Sequence, residues 1–390
     1  MQKNSHRWAI KHITLRRWVI NMNTKNQIEN SHYLIEFKDG QIHLFDKVNQ
    51  ANYPNIISVL DDGDEGDSYD YSEPFVNKEI VAEFLGCEIV ENALKSTMKL
   101  TGSIALPIDL ESRANDGETV QQEVNLEIVL NHHILEERIS VDIRMVNIAD
   151  EHRLRLVFNT HKKNEKSYAD IQFGTIERPT YLPQVEQWRE ERWDEKPRTI
   201  EPLQSYVTNG FEACDLQIVT ESVREYQFIG EDYAQIAMTV YRSVPYLGKS
   251  DLQDRPGRES GTKVRTEGTR HMNELIQARY YLRVLGNTDD EYSCAQFAKE
   301  MLTPLIGYQA VSFRNNTDEF VLSIADEMNL PPTHSLVEVK GEAICSTIKK
   351  DSGGTIIRLY NPKRSDSAEA RLNNKMIELK TCQFEDLRID

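Results

Sequence analysis

From Tyr33 onward, apolar side chains recur at every second position. Ile139, Val141, Ile143 and Met145 alternate with Ser140, Asp142 and Arg144, and Val124, Leu126 and Ile128 alternate with Asn125 and Glu127. A period of two fits a pleated strand with one face buried and the other wet. Residues 33–37 and 41–45 flank Asp39-Gly40, a pair that tolerates the positive φ of a two-residue hairpin turn. Residues 337–339 and 355–360 carry the strand pattern further on. Helical periodicity is confined to about 293–302 and 184–192. Many strands without regular strand–helix–strand alternation predict an all-β chain with few helices, built as sandwiches of antiparallel sheets.

The chain has 390 residues, 39% of them hydrophobic and 28% charged, which is enough for two or three ordinary domains. A boundary is expected near 305–315, where a helix-like segment ends at Thr303-Pro304. That gives a large sandwich over 29–305 and a small one over 306–390. Residues 1–28 hold six bases and no acid, so all 63 acids lie beyond them. This segment is expected to be a poorly ordered leader, with a basic docking arm as the alternative.

The net charge of −17 argues against nucleic acid or an anionic membrane as partner. No apolar run approaches the ~20 residues of a membrane-spanning helix. Residues 8–20 are interrupted by Lys11, His12, Arg16 and Arg17 and do not form the apolar core of a signal peptide. The five cysteines are widely spaced and none forms a CxxC pair, which points to a reducing compartment, the cytoplasm. No metal-binding histidine spacing occurs. His132 and His133 are adjacent, and neighbouring strand residues point to opposite faces. Phosphate-binding glycine loops and the Gly-x-Ser-x-Gly elbow are absent as well.

Three stretches invite chemistry. In 61–74, six of the first ten residues are acidic and two are glycine. It is no calcium loop of the EF-hand type, because the glycine position counted from Asp62 holds Asp67. Two readings stay open: a solvated acidic loop, or a sugar-contacting loop in which carboxylates accept from hydroxyls and a tyrosine offers its ring. In 242–257, Arg255 precedes a proline, is therefore extended, and is expected to reach outward with five donors. The third stretch, 170–179, is followed by Trp188 and Trp193 among charges.

In this order, Ile28-Glu-Asn with Tyr33, then 61–74, 170–179, Trp188 with Trp193, 242–257 and 356–362 resemble the C-terminal, non-barrel half of glycoside hydrolase family thirty-eight. That family holds bacterial α-mannosidases and mannosylglycerate hydrolases. The resemblance covers the chain from about residue 28 onward. It implies a large supersandwich of the galactose-mutarotase kind followed by a small β-sandwich. It also implies that the zinc ion and the nucleophilic aspartate sit on a barrel outside this sequence, so no catalytic or metal-binding residue and no cofactor is assigned here. The family's HHDA-like run is missing, since Ile134 and Leu135 follow the histidine pair. By resemblance Tyr69, Arg255 and the neighbouring Asp67 would meet the sugar. A retaining carboxylate pair drawn from Asp64 and Asp67 is disfavoured, because the resemblance places the chemistry elsewhere. The implied partners are a mannose-containing carbohydrate, a separate catalytic barrel half and a second copy of the chain. The alternative is a stand-alone carbohydrate-binding module.

Overall fold

A computed structural model describes residues 26–306, 335 and 337–389, together with the backbone of 312–313 and 322–323. The basic segment lies almost wholly outside the described residues. So does most of the stretch beyond the boundary expected near 305–315.

Two nine-stranded antiparallel sheets pack face to face. The first runs Gln27–Glu29, Tyr33–Lys38, Gln41–Asp46, Ala51–Gly63, His152–Asn159, Gln235–Ser243, Glu225–Ile229, Ile200–Pro202, with Ile80–Val81 added beside Ala51–Gly63. The second runs Gly174–Pro179, Lys166–Ile171, Tyr206–Thr208, Leu216–Thr220, Leu275–Val284, Ile139–Val146, Thr119–Asn131, Lys95–Pro107, Glu83–Glu91. Their facing sides interlock. Leu154, Leu156 and Phe158 meet Ile139, Val141, Ile143, Val124, Leu126 and Ile128 in one buried cluster. This is the alternation expected of those strands, and the hairpin at Asp39-Gly40 has the two positive φ values its turn requires. Ser140 departs from the pattern: it lies on the outer face yet is buried.

Helix α1 (Leu110–Ala114) is a single turn with Asp109 accepting from the Ser112 amide. Helix α2 (Glu291–Leu302) starts in a capping box between Asp290 and Ser293. Its buried Phe297, Ala298 and Met301 cover Tyr206, Val219 and Tyr281 on the outer face of the second sheet. The helix expected over 184–192 is instead one 3-10 turn, Pro183–Glu186. Trp188 is buried there, and Arg192 takes a left-handed φ of 60°.

A smaller unit closes the chain. Two three-stranded sheets, Val339–Gly341/Ala368–Leu372/Lys375–Leu379 and Ile344–Asp351/Gly354–Tyr360/Phe384–Ile389, enclose Ile357, Leu359, Leu379 and Leu387. It is fixed to the larger unit by Phe173, whose ring meets Tyr360 edge to face and lies tilted against Phe384. Arg364 adds ion pairs to Glu177 and Glu291. Among the described residues no helix is long and apolar enough to cross a membrane.

Candidate functional site

The acidic stretch is neither a solvated loop nor an open row of carboxylates. Asp61 and Asp62 lie on the strand Ala51–Gly63, and both are buried. Each aspartate of the stretch takes its own arginine. Asp61 pairs with Arg113 and with His152 Nδ1. Asp62 receives Arg153 through two nitrogens, 2.8 and 3.2 Å away, and Arg155 at 3.1 Å. Asp64 receives Arg242 through Nε at 2.5 Å and Nη2 at 3.0 Å. Asp67 pairs with Arg255 at 2.7 Å, and Asp70 with Arg198. Fork-to-fork pairing of this kind compensates the desolvation of a buried charge. Burial works against the Asp62 charge, but Arg153 and Arg155 outweigh it and hold its carboxyl below the ordinary range. At Asp70 burial wins over Arg198 and raises it.

Asp67 is the hub of this arrangement. It is 0% exposed and accepts from Arg255 Nη2, Ser260 Oγ and the backbone amides of Lys249, Tyr69 and Asp70. It therefore draws together residues 64–70, 249–255 and 260. Between them Gly248 and Gly261 cross in direct backbone contact: a Cβ on Gly248 would stand 2.6 Å from the Gly261 carbonyl oxygen. The Tyr69 ring lies against that crossing, 3.0 Å from where a Gly261 Cβ would be. Tyr69 itself is 62% exposed.

Of the three residues proposed for sugar contact, only Tyr69 faces open solvent. The outward reach expected of Arg255 is not observed. Its guanidinium is turned inward onto Asp67 and Ser260, and the side chain is 4% exposed. Asp64 and Asp67 each spend their oxygens on arginines and amides, so the two carboxylates cannot flank a glycosidic bond.

Three adjoining clefts surround this loop. Tyr69, Asp70, Tyr71 and Arg242 line one of about 330 Å³. Tyr71 and Arg198 also line a second of about 320 Å³, and Lys196 reaches into both. A third, of about 510 Å³, lies between Phe75 and Trp188. Trp188 is thus near the site as a buried wall, and Trp193 is part-exposed. The stretch 170–179 is elsewhere: Asp170 accepts from Ser205 and from the amides of Gln204 and Tyr206, a clamp within the second sheet. The stretch 356–362 belongs to the terminal unit.

Among the described residues the donors do not fit a zinc ion. The His132 and His133 rings sit 6.4 Å apart and tilted, His132 is bonded to Ser96, and the aspartates are held by arginines. Among the described residues no three histidines, cysteines or carboxylates converge on a common point. The arginines 113, 153, 155, 198 and 242, and Ser260, were not legible as partners. The one signal for them was that five aspartates within ten residues demand cations.

Over 384 residues the chain is 22% identical to a protein of Halalkalibacterium halodurans named "Putative mannosylglycerate hydrolase", matching 92% of this chain and 38% of that protein. Its fold superimposes with a TM-score of 0.74 on an α-mannosidase from Enterococcus faecalis, at 16% identity, covering 94% of this chain and 42% of the other. A second Enterococcus faecalis structure, of a protein in glycosyl hydrolase family 38, gives the same score with 44% of that chain covered. The chain therefore spans about two fifths of the length of these relatives. Residues 28–246, more than half of the sequence, match the family described as the C-terminal domain of glycosyl hydrolases family 38, and the chain belongs to that family.

Proposed function

We propose that this chain supports and completes the sugar site of a zinc-dependent α-mannosidase-type hydrolase. The groups that cleave α-mannosides or mannosylglycerate are carried by a barrel that these 390 residues do not include. The observation that carries this reading is the presentation of Tyr69: an exposed ring on a loop whose base is clamped by a buried carboxylate, inside the region that matches the family. A phenol held in a fixed place can position a sugar by stacking and by its hydroxyl, so that the reacting groups meet it in one geometry. Asp67 and Arg255 act in this reading through Tyr69, as positioning residues. Zinc, if the barrel carries it, would be held there by the barrel's own ligands. The reading places the chain in the cytoplasm, where its five cysteines stay as free thiols.

The test is hydrolysis of p-nitrophenyl α-mannoside by this chain mixed with the barrel half of a family relative. Zinc-dependent release by the pair is expected. Tyr69→Ala should lower it about tenfold or more while thermal stability stays within ~0.5 kcal/mol, the usual range for an exposed site. Absence of turnover by the pair, or full turnover by the Tyr69 variant, would refute the reading.

A further inference from the structure

The cleft of about 320 Å³ does not include Tyr69 and has chemistry of its own. It lies at the free edge of the first sheet. The edge strand Ile200–Pro202 covers only positions 225–227 of its neighbour Glu225–Ile229, so Phe228 and Ile229 end without a strand on the cleft side. They and Ile200 form an apolar floor. Tyr181 and Tyr233 stand at one wall, with ring centroids 6.4 Å apart and planes 35° from parallel. Tyr71 closes the other end, its ring held 3.7 Å from the Arg153 guanidinium.

The rim carries Lys196 and Arg198 against Glu73 and Asp254. These charges balance, so the cleft does not select an ion. They are also incompletely used. Lys196 Nζ stands 3.6 Å from an Asp254 oxygen, beyond hydrogen-bonding distance, and is left to donate elsewhere, while Arg198 Nη1 is held by Asp70 and the Tyr71 carbonyl and its Nε and Nη2 lie buried behind the rim without a hydrogen-bond partner. Aromatic walls over an apolar floor, with donors and acceptors interleaved at the rim and no net charge, suit a ligand that has a C–H face and several hydroxyls.

We propose that this cleft is a binding subsite for a neutral hexopyranoside ring, in addition to the Tyr69 contact. It shares Tyr71, Lys196, Arg198 and Ile200 with the cleft beside Tyr69. A saccharide of two or more residues would run from one to the other. The inference rests on the reading above for the class of sugar only. Hydrolysis with the barrel tests that reading, whereas the experiment below needs this chain alone, so either can fail without the other.

Saturation-transfer NMR and a titration with methyl α-D-mannopyranoside on the full chain are decisive. Binding in the millimolar range is expected. Tyr181→Ala and Tyr233→Ala should each weaken it about tenfold, or ~1.4 kcal/mol. Raising the salt to about 0.5 M should leave the affinity within about twofold, because no net charge is involved. Melting curves confirm that the variants stay folded, which the partial exposure of Tyr181 favours. Absence of transfer at about 50 mM sugar, or full transfer in a folded Tyr181→Ala/Tyr233→Ala double variant, would overturn the proposal.

Discussion

Arg255 Nη2 donates to Asp67 at 2.7 Å, across 188 positions of sequence, and both side chains are shut off from solvent. The same nitrogen also reaches Ser260 Oγ at 2.9 Å. One contact thus fixes the base of the Tyr69 loop to two distant segments.

Arg255→Ala takes the arginine from a fully buried carboxylate and leaves it with Ser260 and three backbone amides. Loss of one partner from such a pair costs about 3–5 kcal/mol. Urea denaturation should show that loss, and Arg255→Lys should recover little, since the lysine side chain is one bond shorter and its nitrogen falls short of the Nη2 position that serves both Asp67 and Ser260. A lysine variant as stable as the parent would contradict the geometry.

Gly248 and Gly261 should respond unequally to alanine. A Cβ on Gly248 meets the Gly261 carbonyl oxygen at 2.6 Å, which only a backbone shift relieves. A Cβ on Gly261 meets the Tyr69 ring at 3.0 Å, and an exposed ring can move. Hydrogen exchange across residues 246–266 should therefore accelerate in Gly248→Ala and stay near parental in Gly261→Ala. In the latter, only the environment of Tyr69 should change, as read by its NMR signals.

Acid should act in two stages. Burial alone would raise the Asp67 carboxyl, but Ser260, two backbone amides and Arg255 hold it below its ordinary 3.8. The unfolded chain then takes up the proton first, so this stabilisation is complete above about 3.8 and is lost as pH falls through the lower native value. Glu65 and Glu151 are raised above 4.5 by burial, so the native chain takes up protons first and gains stability as pH falls toward 4.5. Thermal melting should thus hold steady or rise slightly down to about pH 4.5 and fall steeply below 3.8. Asp67→Asn should be less stable at neutral pH and should flatten the steep part. An unchanged slope would exclude Asp67 as a contributor.

The terminal unit depends on Phe173. This residue holds a φ of 65°, a backbone region costly to a bulky side chain, and its ring centroid is 4.7 Å from that of Phe384 and 5.7 Å from that of Tyr360. Each aromatic pair is worth about 0.5–1.5 kcal/mol. Phe173→Ala should let limited proteolysis release residues 337–389 earlier, with little change in the core of the larger unit. Equal cleavage rates would show that the ion pairs of Arg364 suffice.

The large sandwich was legible because its strands are long and one-sided. Val124, Leu126 and Ile128 can be read from alternation alone, and so can their burial. Ser140 was not, because its cross-strand neighbour Tyr281 belongs to the outer-face cluster under α2, and nothing in the residues near 140 announces a helix that starts at Glu291. The run 184–192 misled because its spacing mimics a helix, although regular turns stop after Glu186 and Arg192 takes a positive φ. The acidic stretch was conspicuous and its role was not. Composition shows carboxylates, but whether water or arginine meets them is decided by residues 52 to 188 positions away.

That same spacing orders events during synthesis. Asp61 emerges from the ribosome well before Arg113, and Asp67 long before Arg255. Until its arginines are made, each carboxylate of the nascent segment has only water and like charges beside it, which keeps the segment from sticking to neighbours while the strands around it collapse. Asp61 and Asp62 meet arginines made much earlier, whereas Asp67 can be enclosed only when Arg255 arrives, so the tyrosine that the loop displays is set in place late, as a seal on a finished body.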